Sequence, residues 1–143
     1  MKIVVDQARL SQKLVAVSAV VPTKTTLSIL SNILFTAEGS ELRVTATDLD
    51  LSMTASLPAK VEEPGRVCIP AKRIVDIVRS LPSQEIRIAV KNNTIRIQCG
   101  KSDFRIAGAD AEEFPKVTEK MTDKGFTVAG EILGRMVDRV IHA

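Results

Sequence analysis

Apolar residues recur along the chain in two patterns, one typical of strands and one typical of helices. A short strand over 2–5 leads to Asp6, a candidate N-cap, and a helix is predicted over 7–21, where Pro22 stops it. Glu38-Gly39-Ser40 and Asp48-Leu49-Asp50 then supply turns between three strands, which gives an antiparallel meander. These strands are predicted at about 33–37, 41–47 and 51–57.

The same order of elements then begins again. A strand at 67–69 precedes a helix predicted over 71–81, which ends before Pro82. Asn92-Asn93 and Gly100-Lys101-Ser102 supply turns between the strands that follow. Each half is therefore predicted to contain one strand, one helix and three further strands. The three strands of the second half are predicted at about 85–90, 94–99 and 103–108.

A constant register supports the repeat. The reference positions of the first unit are Ile3, Val5, Leu10, Leu14 and Val17. A shift of 64 residues aligns them with Val67, Ile69, Ile74, Val78 and Leu81, and a shift of 123 with Phe126, Val128, Leu133, Val137 and Val140. Every aligned position is apolar, which predicts two similar halves in one domain over 1–118. Residues 119–143 are then a linker, a strand at 126–128 and a helix from about 131, opening a second, truncated domain.

Composition narrows the class of protein. With 45% hydrophobic and 26% charged residues, the chain is typical of a globular protein. Aromatic residues make up 3%, without Trp or Tyr, which disfavours a platform for stacking single-stranded bases. Cys68 and Cys99 lack metal-ligand spacing and are expected to be reduced thiols. Without a signal-peptide pattern or a membrane-length apolar run, a cytoplasmic location without membrane contact is expected.

The two predicted helices share a basic bias. The first carries Arg9 and Lys13 without an acid, and the second carries three cations against one acid. Those three cations are Lys72, Arg73 and Arg79. Such a face is either a solvated outer surface or a surface that contacts DNA phosphates without reading sequence. The charge pattern alone leaves both readings open.

One pair of carboxylates allows a different function. Asp48 and Asp50 are two residues apart, as in some metal-dependent phosphodiesterases, but such a site needs further carboxylates or histidines. The single histidine is His142, far along the sequence. A turn-forming role is therefore favoured, and neither catalytic nor metal-ligating residues are predicted. The phosphodiesterase stays as an alternative, together with a protein-interaction scaffold that never touches DNA.

Several motifs occur along the whole chain in a recognisable order. They are Met1-Lys2-Ile3, Thr26-Leu27-Ser28-Ile29-Leu30-Ser31-Asn32, Ala46-Thr47-Asp48-Leu49-Asp50, Ile69-Pro70-Ala71-Lys72 and Ala111-Glu112-Glu113-Phe114-Pro115. They resemble the bacterial sliding clamp, the beta subunit of DNA polymerase III. The resemblance implies an α+β DNA-clamp fold: duplicated β-α-β-β-β halves, with two helices on one side and antiparallel sheets outside.

The same resemblance implies a function. It suggests a non-catalytic processivity factor in bacterial DNA replication, a homodimeric ring that encircles double-stranded DNA independently of sequence and tethers the polymerase. No cofactor is implied, and the location would be cytoplasmic and nucleoid-associated. DNA-facing positions map onto Lys24 and Lys72, with Arg79 and Arg9 as further candidates. Lys13 joins them from the charge pattern.

The resemblance also implies partner surfaces. A second clamp subunit would meet the edge strand at about 103–108, with Phe104 and Ile106 as apolar contacts and Arg73 and Lys101 beside them. Asp103 stands where the family sometimes has a basic residue, so its partner is left open. The polymerase and the clamp loader would bind through domains mostly absent from this sequence.

Overall fold

The computed structural model describes residues 1–117 and 124–142, which form nine strands and three α-helices. The helices are α1 (Gln7–Ser18), α2 (Ala71–Ser80) and α3 (Gly130–Val140). The strands are β1 (Lys2–Asp6), β2 (Asn32–Glu38), β3 (Glu41–Thr47), β4 (Ser52–Pro58), β5 (Lys60–Glu63), β6 (Gly65–Pro70), β7 (Glu85–Lys91), β8 (Thr94–Cys99) and β9 (Ser102–Ala107). Short 3-10 helices span Ser28–Ser31 and Ala111–Glu113.

The strands form two antiparallel sheets in which the repeated halves exchange their first strands. The orders are β5-β1-β7-β8-β9 and β4-β3-β2-β6. Ile3 of β1 thus lies opposite Ile88 of the second half, and Ile69 of β6 lies opposite Ile33 of the first. Because each half completes the other's sheet, the two halves form a single folding unit.

The predicted repeat is visible in the core. All ten reference positions of the first two copies are at most 6% exposed, and they pack in one cluster with the inner faces of both sheets. The five equivalent positions of the third copy are between 38% and 91% exposed. Their apolar pattern is the same, but no part of the described chain covers them.

Both helices of the first two copies end earlier than predicted. α1 stops at Ser18 rather than residue 21. The N–H groups of Val20 and Val21 donate hydrogen bonds to the carbonyls of the residues three positions earlier, as in a 3-10 turn. α2 stops at Ser80 rather than residue 81, because Leu81 is extended with ψ 149°. A proline follows both segments, and a residue before proline is driven out of helical geometry.

Two strand predictions need correction. β5 was not predicted, because Lys60–Glu63 contains one apolar residue among three charged ones. It nevertheless pairs with the free edge of β1. Conversely, residues 126–128 form no strand, since no described segment lies beside them to provide ladder hydrogen bonds. The helix predicted after them is confirmed as α3.

The predicted hairpin turns are confirmed. Gly39 has φ +58°, and Asn92 and Asn93 have φ +49° and +59°, the left-handed geometry that tight hairpins require. Asp6 also caps α1 as predicted, because its carboxylate accepts a 2.9 Å hydrogen bond from the Arg9 N–H. Among the helices of the described residues, none has the length and apolar character needed to cross a membrane.

Candidate nucleic-acid interface

α1 and α2 lie side by side and run antiparallel. At one end, Gln7 Nε2 at the start of α1 donates a 2.6 Å hydrogen bond to the Val78 carbonyl near the end of α2. At the other end, Ser18 of α1 and Ala71 of α2 line the same groove. The pair therefore offers one continuous surface with two distinct ends.

Each helix buries a single stripe and exposes the rest. Leu10, Leu14 and Val17 of α1 are buried at the helical spacing, as are Ile74 and Val78 of α2. α1 packs on β3, β4 and β1, while α2 packs on β6. The exposed stripes of both helices consequently face away from the sheets, on one side of the domain.

The predicted cations fall into two groups at the ends of this surface. Arg9 lies near the start of α1, beside the end of α2 that carries Arg79. Lys72 lies at the opposite end, and the loop after α1 brings Lys24 there. All four are exposed, whereas Lys13 in the middle of α1 is half-buried. None of these five takes part in an ion pair within residues 1–117 and 124–142.

Lys24 and Lys72 line neighbouring grooves that share Pro22. The first groove, about 570 Å³, lies between the end of α1 and the start of α2 and includes Lys72 and Asp76. The second, also about 570 Å³, includes Lys24 and Leu49. Both are open to solvent, so a phosphate backbone has access to the two ammonium groups.

The predicted subunit edge is an edge strand of the five-stranded sheet. Within residues 1–117 and 124–142, β9 pairs only with β8 in that sheet, so its other side is free in this part of the chain. Phe104 is 36% exposed and lies opposite Ile97, while the half-buried Ile106 lies opposite Ile95 and packs against the core. Lys101 is exposed in the preceding turn, and Arg73 is exposed on α2.

Asp103 has a partner within the chain. The Nε atom of Arg96, on β8, donates to Asp103 Oδ2 at 3.0 Å and to Oδ1 at 3.1 Å. The hydrogen bond and charge of Arg96 hold the pKa of Asp103 below its ordinary value. On the outer face of β9, the negative charge of Asp103 is thus already paired with the guanidinium group of Arg96.

Asp48 acts as a turn residue. Its Oδ1 accepts hydrogen bonds from the N–H groups of Asp50 at 3.0 Å and Leu51 at 2.7 Å, and Leu49 between them has φ +84°. The described residues contain no group of three or more His, Cys, Asp and Glu side chains able to hold a metal ion. This geometry supports the turn-forming reading over the phosphodiesterase alternative.

The cysteines are both buried and free of disulfides. Burial raises the pKa of the Cys68 thiol to about 11. Cys99 Sγ lies 3.7 Å from the Pro82 carbonyl oxygen. Neither thiol is open to a ligand at the surface, which fits a role in packing.

One charged feature escaped the sequence analysis. Arg43, Arg66 and Lys116 line a single pocket on the sheet face opposite the helices. Alternation along β3 and β6 indicates that both arginines face solvent, but only the strand pairing places them together. No sequence signal links Lys116 to them.

Two antiparallel sheets with a helix pair on one side define the DNA-clamp class of α+β folds, and solved structures bear this out. The chain superimposes on DNA polymerase III beta from Caulobacter crescentus with TM-score 0.94 and 33% identity, covering 100% of this chain and 39% of that one. For the Pseudomonas aeruginosa beta subunit the TM-score is 0.91 at 33% identity, covering 97% and 38%.

Sequence comparison defines the family. Residues 1–118 match the family model described as DNA polymerase III beta subunit, N-terminal domain. The chain is 32% identical to a beta sliding clamp of Pseudomonas aeruginosa and 33% identical to one of Caulobacter vibrioides, in each case over all of its length. The chain belongs to the DNA polymerase III beta subunit family. It spans about 40% of the length of these relatives.

Proposed function

We propose that this chain is the DNA-facing first domain of a ring-shaped sliding clamp, a processivity factor that encircles duplex DNA and tethers the replicative polymerase. The clamp would be non-catalytic and would act in the bacterial cytoplasm at the nucleoid. Residues 1–118 would form this domain, and residues 119–143 would open the second. The carrying observation is the helix pair with exposed cations at both ends, found in a chain of the beta-subunit family.

The chemistry of the helix surface suits sliding. Arg9, Arg79, Lys24 and Lys72 are exposed charges without ion-pair partners in the described part of the chain. Such charges attract phosphates with an affinity that depends on salt and hardly on base sequence. Because contacts to phosphates carry no sequence information, they create no preferred stopping point along the duplex.

The free edge of β9 supports closure of the ring by a second subunit. An edge strand presents unpaired backbone N–H and C=O groups that a partner strand can satisfy. Phe104 and Ile106 would add apolar contacts at this edge, with Lys101 and Arg73 as flanking charges. The polymerase and clamp loader would dock on the domains that follow.

Retention on circular DNA tests the ring. The complete subunit of which this chain is proposed to be the first part is loaded by a clamp loader onto nicked circular duplex and separated by gel filtration. We expect it to stay with the circle and to leave when a restriction enzyme linearises the DNA. Equal retention on circular and linear DNA would contradict encirclement, and no retention on either would favour the scaffold alternative.

A further inference from the structure

The sheet face opposite the helices carries a cationic pocket of about 400 Å³ that the DNA-facing role does not use. Arg66 of β6, Thr36 of β2 and Arg43 of β3 lie side by side across three neighbouring strands. With strands about 4.8 Å apart, the two arginine Cα atoms are about 10 Å apart. Lys116, in the segment after the second 3-10 helix, adds a third cation at the rim.

Arg43 and Arg66 each form an ion pair with a neighbouring glutamate, but both pairs are long. Glu41 Oε1 lies 3.5 Å from Arg43 Nε, and Glu112 Oε1 lies 3.5 Å from Arg66 Nη1. Both distances exceed those of a good charge-assisted hydrogen bond. Lys116 has no ion-pair partner among the residues the structure describes. The guanidinium groups can therefore donate hydrogen bonds to a better-placed carboxylate of a partner.

The pocket also has an apolar component. Pro115 and Val117 are half-buried and border the pocket beside Lys116, whereas Leu34, in the row next to Thr36, is 8% exposed and packs within the chain against Phe114. A phosphate backbone offers no aliphatic group to cover this surface. A peptide that alternates acidic and aliphatic side chains offers both a carboxylate for each arginine and an apolar side chain for Pro115 and Val117.

We propose that this pocket binds an acidic peptide segment of a partner protein, with carboxylates on Arg43 and Arg66 and an aliphatic side chain against Pro115 and Val117. It lies on the side of the sheet away from α1 and α2. A partner held there would leave the helix surface open, so its binding is separable from the contacts proposed for DNA.

Fluorescence anisotropy of the 143-residue chain tests the proposal, with a labelled peptide of four glutamates around one leucine as the probe. We expect saturable binding that Arg43→Gln with Arg66→Gln weakens about tenfold, because two half-exposed charge pairs are lost. Glu112→Gln should strengthen binding about twofold, since it removes the carboxylate that competes for Arg66.

The matched control is Arg87→Gln with Lys91→Gln, which removes the same charge from the outer face of the other sheet. We expect it to change affinity by less than about twofold. An equal loss in this control would overturn the proposal in favour of general charge attraction, as would the absence of saturable binding.

Two further results would contradict the proposal that an acidic peptide occupies the pocket. Millimolar inorganic phosphate that displaces the probe from the pocket would assign a simple anion site. Loss of duplex DNA binding on Arg43→Gln with Arg66→Gln would assign nucleic acid. Circular dichroism and the thermal midpoint show that each variant is folded, and we expect midpoints within about 3 °C because the changed side chains are at the surface.

Discussion

The side-chain amide of Gln7 donates a 2.6 Å hydrogen bond to the backbone carbonyl of Val78, which joins the first turn of α1 to the last turns of α2. Gln7 is 7% exposed, and its backbone N–H donates to the Gln84 carbonyl at 3.0 Å. The last carbonyls of a helix lack intrahelical partners, and the N–H groups of its first turn do as well. One polar residue thus satisfies groups at both helix ends and links the two antiparallel helices at this end of the pair.

Replacing Gln7 tests this link. Gln7→Leu keeps the side chain's bulk but leaves the Val78 carbonyl with less hydrogen bonding, so the free energy of unfolding should fall by about 1–2 kcal/mol. Urea unfolding followed by circular dichroism measures the change. Gln12→Leu, on the exposed side of the same helix, serves as the control and should stay within about 0.5 kcal/mol. An equally stable Gln7→Leu variant would contradict the role given to this bond.

At Gly108 the fold leaves no room for a side chain. Its N–H donates to the Asn93 carbonyl at 2.7 Å as the chain leaves β9, and the next residue, Ala109, bridges to Cys68. A Cβ atom at Gly108 would lie 2.5 Å from the Cys68 carbonyl oxygen and from Ile95 Cδ1.

We therefore expect Gly108→Ala to lower the free energy of unfolding by about 1–3 kcal/mol, because backbone and a core side chain must shift to admit the methyl group. Chemical denaturation measures the loss. Gly125→Ala is the matched change, since nothing lies within 4 Å of a Cβ there, and it should be neutral. Similar stability of both variants would show that the bridge at Ala109 yields easily.

Local patterns predicted the elements well and their partners poorly. A buried helical stripe was predictable at Leu10, Leu14 and Val17, because the helical spacing of apolar residues can be read directly from the sequence. The exchange of β1 and β6 between the halves could not be predicted from the sequence, because an apolar strand fits either sheet equally well. β5 was missed for the related reason that its strand character comes from pairing with β1 rather than from its own residues.

The same limit applies to the candidate sites. The cations of α1 and α2 could be assigned to an exposed surface from helical geometry alone. The pairing of Asp103 with Arg96 could not, because Asp103 lies opposite Gln98 and reaches Arg96 only diagonally across two strands. Contacts between strands need the register, which the sequence does not state.

The ion pair between Asp103 and Arg96 leads to a prediction about how the stability of the fold depends on pH. Because Arg96 holds the pKa of Asp103 below its unfolded value, the pair stabilises the fold above the unfolded pKa, and the stabilisation is lost as pH falls through the folded pKa. Asp103→Asn should therefore lower the thermal midpoint at neutral pH and flatten its fall below about pH 4. Scanning calorimetry across acidic pH measures this. Asp50→Asn, at an exposed turn, is the control, and an unchanged acid limb in Asp103→Asn would contradict the assignment.

The free edge of β9 predicts an effect on subunit association. In the complete subunit, Phe104→Ser should weaken dimerisation about tenfold or more, because an aromatic side chain at an interface centre carries much of the binding energy. Analytical ultracentrifugation gives the dissociation constant. Leu51→Ser removes an apolar side chain that is more exposed than Phe104, 58% against 36%, next to β4 in the other sheet, and should leave the dimer intact. Equal effects of the two would place the subunit contact elsewhere.

The salt dependence of DNA binding tests the contacts of Lys24 and Lys72. Each phosphate contact of a cation with duplex DNA contributes about 0.9 to the slope of log affinity against log salt concentration. Lys24→Gln with Lys72→Gln should therefore reduce the slope by about 2 in the complete subunit, whatever the base sequence of the duplex. Lys60→Gln with Lys91→Gln removes two exposed lysines from strands and should leave the slope unchanged. Equal reductions in both pairs would assign the attraction to net charge and withdraw the two residues from the proposed DNA surface.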